Sequence, residues 1–205
     1  LNTAIFQDNK FLIPGSRTTS FACALVLHGT FYFAMFSVAR PTIFPCPFPR
    51  RLMMTDLNRF PDWASALAAL PPHSGVILRD YAHACRPSLA RKMARACRQY
   101  GHRFFVGADR ALAIRLGAGF HAPARCVNAP LPPGLRGISL AAAHERAEID
   151  HAAQSGYSAV LVSPVFSTAT HGDARRLGAF NFLALARYAH ARGLGVYALG
   201  GVNAV

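Results

Sequence analysis

Seven short apolar runs recur from Leu52 onward, and segments of helical length separate most of them. The runs are Leu52–Thr55, Gly75–Leu78, Arg103–Val106, Gly119–His121, Gly137–Leu140, Ala159–Val165 and Gly195–Leu199. The segments between them, rich in Ala and Arg, are Trp63–Leu70, Ser88–Tyr100, Arg110–Leu116, His144–Ser155 and Asn181–Arg192. Apolar strands that alternate with helices are typical of a parallel sheet covered by helices. The number and shortness of the repeats predict a TIM-type (β/α)8 barrel. No G-x-G-x-x-G follows the first run, which disfavours an open dinucleotide-binding sheet.

The two ends of the chain fit this barrel less well. The seventh run ends at Leu199, so we expect the eighth strand and helix to be lacking and the first strand to have an open edge. Residues 1–50 are predicted to be an N-terminal extension without regular structure, since Arg40–Arg50 carries four prolines. Residues 51–205 are predicted to be the barrel domain.

Three other interpretations of the extension stay open. The extension can be the result of an upstream start site or of a fragmentary sequence, and then it is not part of the native structure. Phe21–Ala39 is just long and apolar enough for a membrane anchor. Thr30–Val38, with its aromatic and β-branched residues, can form a strand that fills the gap in the barrel.

The composition indicates which class of binding partner and which cellular compartment to expect. The formal net charge is +13, but the arginines are spread over helical segments instead of forming one stripe. This favours small anionic substrates over nucleic acid, and membrane contact is not expected. Five cysteines without C-x-x-C spacing argue against a disulfide framework or a structural zinc site, and they indicate a reducing cytoplasm. A homo-oligomer that covers the open edge is not excluded.

The last two strand ends carry the groups best suited to chemistry. The loop after the sixth strand supplies the hydroxyls of Ser163 and Thr168 and the imidazole of His171, which suit phosphate binding and proton transfer. The seventh strand ends in Gly200 and Gly201, whose backbone N–H groups can approach an anion closely. TIM barrels commonly bind phosphate at these two loops.

Taken together, the strand ends resemble the thiamine phosphate synthase/TenI superfamily over residues 51–205. The loop Ser163–Gly172 matches the family's Ser-Pro-Val-Phe-x-Thr segment, and Tyr197–Asn203 matches its Ala-Leu-Gly-Gly-Val segment. Further matches are Leu52–Asp56, Val76–Arg79, Gly119–His121, Gly137–Ser139 and Ala142–Glu145.

The resemblance implies a TIM barrel of thiamine (vitamin B1) biosynthesis. Thiamine phosphate synthases couple hydroxymethylpyrimidine pyrophosphate to thiazole phosphate, release pyrophosphate and use Mg²⁺. The expected partners are therefore small phosphorylated substrates. The substrate-binding positions that it implies are Arg79, Ser139, Ser163, Thr168, Gly200 and Gly201. Asp109 is the implied metal ligand, although the family's other polar positions here fall on Ile77, Tyr81, Gly107, Ala108 and Cys126. The alternative role of Asp109 is a helix N-cap.

Because the metal carboxylates are largely missing, two alternatives remain beside the synthase. The first is a TenI-type thiazole tautomerase, which uses a His and no metal, with His144 and His171 as the catalytic candidates. The second is a non-catalytic, truncated barrel that binds a phosphorylated ligand. His121 is expected to be structural.

Overall fold

The computed structural model describes residues 32–36, 48–127, 130–131, 133–135, 137–166 and 176–200, which form a closed barrel with its strands in chain order. The strands are β1 (Tyr32–Phe36), β2 (Arg51–Met54), β3 (Gly75–Leu78), β4 (Arg103–Gly107), β5 (Gly119–Ala122), β6 (Ser139–Ala143), β7 (Ala159–Val162) and β8 (Gly195–Ala198). The helices are α1 (Trp63–Ala69), α2 (Arg86–Gln99), α3 (Arg110–Leu116), α4 (Arg146–Gln154) and α5 (Gly178–Ala191). A short 3₁₀ helix, Ala124–Cys126, follows β5.

Strands β2 to β8 are parallel to their neighbours throughout. The predicted TIM-type barrel with seven parallel strands is therefore confirmed. Each of these seven strands overlaps a predicted apolar run, because burial on both faces of a parallel strand leaves a continuous apolar signal in the sequence.

The barrel is closed by a strand from the N-terminal extension. β1 pairs antiparallel with β2, with Tyr32 opposite Met54, and antiparallel with β8, with Met35 opposite Ala198. The expectation that the extension lacks regular structure is thus corrected at Tyr32–Phe36, as is the expected open edge of the first parallel strand. Strand β1 agrees with the alternative prediction that Thr30–Val38 supplies a strand. An antiparallel neighbour needs no crossover helix, so a segment that precedes β2 can fill the place beside it.

The possible membrane anchor Phe21–Ala39 contains this strand. The rest of that stretch lies outside the described residues. No helix in the described part of the chain is long and apolar enough to cross a membrane. The division of the chain at residue 50 stays a prediction.

Two apolar clusters hold the barrel together, because successive strand residues point to opposite faces of the sheet. One cluster fills the interior, with members such as Leu52, Ile77, Phe105, Leu140, Leu161 and Tyr197. The other lies between the strands and the helices, with members such as Val76, Val106, Phe120, Met93, Leu112 and Ile149. The side chains of the first cluster fill the barrel interior between the described strands, so a ligand is expected at the end where the strands stop.

The position of β6 departs from the prediction in a way that affects the site. The sequence predicted a strand over Gly137–Leu140, whereas the observed strand runs over Ser139–Ala143. The small apolar residues Ala141, Ala142 and Ala143 continue the strand, although alanine has little strand preference by itself. Ser139 therefore begins the strand that it was expected to end.

Candidate functional site

The carboxyl ends of β2 to β8 meet at one end of the barrel, which we call the mouth. The residues at these ends and in the loops that follow them include Thr55, Arg79, Asp80, Asp109, His144, Ser163 and Gly200. In TIM barrels this end carries the active site. Five of the positions predicted from the sequence, Arg79, Asp109, His144, Ser163 and Gly200, are at the mouth.

The ends of β2 and β3 are joined by a hydrogen-bonded carboxylate. Asp80 accepts a hydrogen bond from the Thr55 hydroxyl, and its Oδ1 atom accepts another from the Leu57 backbone N–H at 2.7 Å. The Arg79 backbone N–H donates to the Thr55 hydroxyl oxygen at 3.0 Å. These bonds fix the backbone that carries the Arg79 side chain.

Arg79 follows β3 on the side that faces the barrel interior, two residues after the interior residue Ile77. Its side chain is half-buried. Within the described part of the chain the Arg79 guanidinium has no hydrogen bond and no ion pair. Its positive charge therefore stands at the mouth without a carboxylate partner among these residues.

His121 lies inside the barrel near Arg79. Its neighbour Phe120 packs in the outer cluster, so the His121 ring takes the interior side of β5. The ring is only 2% exposed, and neither ring nitrogen has a hydrogen-bond partner within the part of the chain that the structure describes. Burial, and to a lesser degree the charge of Arg79, lowers the pKa of His121 to about 4. The ring is thus neutral at physiological pH. Buried histidines without hydrogen-bond partners are uncommon in protein cores, and the sequence alone did not reveal this one.

Arg86, which the sequence analysis did not single out, organises the ends of β3 and β4. Its guanidinium donates to the backbone carbonyl oxygens of Leu78 at 3.2 Å, Gly107 at 2.6 Å and Asp80 at 3.1 Å. Arg86 is 8% exposed and is the first residue of α2. A cation is unfavourable at a helix N-terminus. An arginine followed by proline at the start of a helix is therefore a sequence signal that could have indicated that Arg86 makes tertiary contacts.

Asp109, the predicted metal ligand, is engaged on both sides. Its Oδ1 atom accepts a hydrogen bond from the Leu112 backbone N–H at 2.8 Å, which makes it the N-cap of α3. Its Oδ2 atom lies 3.9 Å from the Arg86 guanidinium. No group of three or more His, Cys, Asp or Glu side chains in the described ranges could hold a metal ion. Because its two oxygens already face the Leu112 N–H and the Arg86 guanidinium, Asp109 does not fit the role of ligand to the Mg²⁺ ion that the resemblance implied.

His144 and Ser163, which follow β6 and β7, are brought together. The Nδ1 atom of His144 lies 2.6 Å from the carbonyl oxygen of Ser163, and the His144 backbone N–H donates to the Glu148 carboxylate. A carbonyl oxygen only accepts, so Nδ1 carries a proton, and in the neutral ring Nε2 is then the nitrogen with the lone pair. In that tautomer the exposed imidazole can take up a proton at Nε2.

The predicted phosphate loops also lie side by side. The backbone N–H groups of Val165 and Phe166 donate to the carbonyl oxygens of Leu199 and Gly200, both at 2.9 Å. Gly178 donates from the start of α5 to the Val165 carbonyl oxygen at 2.9 Å. Gly200 has a φ of +94°, a conformation that favours glycine.

Three of the predicted positions, Thr168, His171 and Gly201, lie outside the described residues. Ser139 lies at the start of β6, where its backbone N–H donates to the Ser158 hydroxyl at 3.2 Å. Four residues of strand separate it from the mouth, about 13 Å at about 3.3 Å per residue. The assignment of Ser139 to the substrate site is therefore corrected, because β6 extends to Ala143 instead of ending beside Ser139.

Comparisons with known proteins identify the family and support the fold. The family model described as thiamine monophosphate synthase matches residues 56–205. A solved structure of a thiamine phosphate pyrophosphorylase from Pyrococcus furiosus is similar, with a TM-score of 0.56 and 20% sequence identity. The similarity covers 74% of this chain and 74% of that one, and at this identity it supports the fold alone. None of the curated proteins compared with the chain matches it. Because the family model spans most of the sequence, the chain belongs to the thiamine monophosphate synthase family.

Proposed function

We propose that the chain is a thiamine phosphate synthase-type transferase that couples hydroxymethylpyrimidine pyrophosphate to thiazole phosphate. The bond between the pyrimidine methylene carbon and the pyrophosphate oxygen breaks, pyrophosphate leaves with the bonding electrons, and the thiazole nitrogen forms the new C–N bond. The observation that carries the proposal is the Arg79 guanidinium at the mouth, which has no ion-pair partner in the described part of the chain. A fixed cation stabilises the negative charge that develops on the departing group.

The thiazole phosphate is assigned to the neighbouring loops after β7 and β8. Ser163 and Gly200 flank this place, and Thr168 and Gly201 extend it in the proposal. The hydrogen bonds that join Val165 and Phe166 to the end of β8 support the assignment, because they hold both loops at one edge of the mouth. The proposed site of action is the cytoplasm, and no nucleic-acid partner is proposed.

The test uses the full chain, since removal of residues 1–50 would also remove strand β1. Purified protein receives both substrates, and the release of pyrophosphate and the formation of thiamine phosphate are followed with and without Mg²⁺. We expect both products in equal amounts. The Arg79→Gln variant should lose most of this activity, whereas Arg91→Gln on the exposed face of α2 should keep it. Absence of thiamine phosphate from a folded wild-type chain would contradict the proposal.

A TenI-type thiazole tautomerase is the second candidate, and the geometry of His144 favours it. The bond from Nδ1 to the Ser163 carbonyl leaves Nε2 as a proton acceptor. His171 remains a second catalytic candidate in this proposal. Incubation of a thiazole phosphate tautomer with the protein in D₂O would reveal this activity as isomerisation with deuterium incorporation. If neither activity is found and phosphate still binds, the chain is a non-catalytic binder of a phosphorylated ligand.

A further inference from the structure

The carboxylates after β2 and β3 are already engaged by the protein itself. Both oxygens of Asp80 accept hydrogen bonds, one from the Thr55 hydroxyl and one from the Leu57 backbone N–H. Asp56 lies 3.7 Å from the Arg59 guanidinium. A Mg²⁺ ion is usually bound through one or two carboxylates together with substrate phosphates. A metal ion here would have to compete with these donors for the carboxylate oxygens.

At the end of β4, the Asp109 carboxylate has the guanidinium of Arg86 beside it. The Arg86 NH1 atom lies 3.9 Å from the Asp109 Oδ2 atom, and three backbone carbonyl oxygens hold Arg86 in place. Because Arg86 is 8% exposed and hydrogen-bonded at Nε and NH2, it cannot move away without losing its hydrogen bonds to the three carbonyl oxygens. The Arg86 guanidinium thus already supplies positive charge beside the Asp109 carboxylate.

Arg79, in contrast to these carboxylates, is a charged group that has no partner of opposite charge among the described residues. Its half-buried guanidinium has no carboxylate partner within the described ranges. The His121 ring nearby is neutral, and the strand residues paired with His121 are Gly107 on β4 and Leu140 on β6, neither of which carries a charge. Attraction between an anion and Arg79 is strengthened in such a partly buried place, where the effective dielectric constant is below that of water.

From these three observations we infer that the mouth binds the phosphate or pyrophosphate group of its substrate through Arg79 and without a divalent metal ion. This inference rests on the proposed function, because it concerns the phosphate groups of the same substrates. It departs from the Mg²⁺ dependence implied by the family resemblance. The charge that a metal would supply comes from Arg79, and Arg86 neutralises the carboxylate that would have bound the metal.

Calorimetric titration of the full chain with inorganic pyrophosphate tests the inference. One titration contains EDTA and the other contains Mg²⁺. A guanidinium site predicts binding in EDTA that Mg²⁺ leaves unchanged or weakens, because Mg²⁺ neutralises the free anion. A metal site predicts that binding appears or tightens only with Mg²⁺, and this result would overturn the inference.

Matched variants separate the two kinds of site. Arg79→Gln should weaken binding about tenfold or more, because it removes charge-assisted hydrogen bonds to the anion. Asp109→Asn preserves an oxygen for the N-cap but is a poor Mg²⁺ ligand, and it should leave binding unchanged. Arg91→Gln, on the exposed face of α2, controls for the net charge of +13 and should also change little. Loss of binding in Asp109→Asn, or none in Arg79→Gln, would contradict the inference.

A second measurement locates the anion in the molecule. The ring protons of His121 are followed by NMR against pH, with the resonance assigned by its absence in His121→Asn. Pyrophosphate beside Arg79 should raise the pKa of His121, because a nearby anion favours the charged imidazolium. An unchanged pKa despite binding would place the anion elsewhere and overturn the inference. Failure of the coupling reaction with metal-free pyrophosphate binding intact would instead reject only the proposed function.

Discussion

The Nδ1 atom of His144 lies 2.6 Å from the carbonyl oxygen of Ser163, so two loops of the mouth are joined through a side chain that can transfer a proton. The bond determines which ring nitrogen holds the proton. The two activities proposed for this chain differ in their need for His144. The residue would be essential for the tautomerase and dispensable for the ionisation-like step of the synthase.

Replacement of His144 by Ala should reduce tautomerase activity by about 10²–10⁴-fold, the usual contribution of a general acid or base. The ring is exposed, so the variant should remain folded. His144→Asn can keep a donor near the Ser163 carbonyl but has no basic nitrogen, and it should be as inactive as the alanine variant. His151→Ala, an exposed histidine on α4, is the control and should retain activity. Activity in His144→Asn equal to wild type would exclude a proton-transfer role.

The stability of the protein should fall when the pH is lowered from about 6.5 toward 4. The pKa of His121 is lowered to about 4 in the folded state from an ordinary value of 6.5, so in this interval the unfolded chain binds a proton that the folded chain does not. The full effect on the free energy of unfolding is roughly 3 kcal/mol. Urea unfolding at pH 7.5 and 5 would measure part of it. His121→Leu should reduce this pH dependence and, by removing a buried unpaired group, should not lower stability at pH 7.5. Equal pH dependence in both proteins would refute the assignment.

Replacement of Arg86 by Met should destabilise the fold by about 1–3 kcal/mol. Three backbone carbonyl oxygens would lose a hydrogen-bond donor, and the half-exposed Asp109 carboxylate would lose its neighbouring cation. Arg86→Lys should be only a partial rescue, because one ammonium group cannot reproduce the spread of the guanidinium nitrogens. Thermal unfolding of both variants beside the exposed Arg95→Met would show the difference. A loss as small as that of Arg95→Met would mean that these hydrogen bonds contribute little.

Introduction of proline at Ala34 should weaken the closure of the barrel. Ala34 lies opposite Leu52 in β1, and β1 has a strand on each side, so the loss of its N–H removes a ladder bond. We expect a lower melting temperature and more aggregation, because β2 and β8 would then present open edges. Ala34→Ser keeps the N–H and is the control. Equal melting temperatures for the proline and serine variants would show that β1 is not needed for closure.

Much of the barrel follows from local patterns in the chain. The runs at Gly75–Leu78 and Arg103–Val106 are strands because all their residues except the exposed Arg103 are buried, as in a strand covered on both faces. Asp109 was recognised as a helix N-cap candidate from its place before Arg110–Leu116, and it is one. The family match over residues 56–205 confirms the resemblance that the strand-end motifs indicated.

The predictions failed where the outcome depends on residues far apart in the sequence. Ser139 was assigned to the mouth because its motif seemed to end a strand, and only the pairing of Ala143 with Val162 shows how far β6 continues. Arg86 could not be assigned, since the carbonyl oxygens that it binds become neighbours only when β3 and β4 lie side by side.

The sequence by itself therefore determined the order of the seven parallel strands and their helices, and the family, because hydrophobic periodicity and strand-end motifs are local properties of the chain. Only the tertiary structure decided that β1 closes the barrel, that Arg86 lies beside Asp109, and that His121 is buried near Arg79 without a hydrogen-bond partner among the described residues. Each of these depends on which distant groups come into contact and on how much water they lose. Such contacts are made by packing and leave no periodic signal in the sequence.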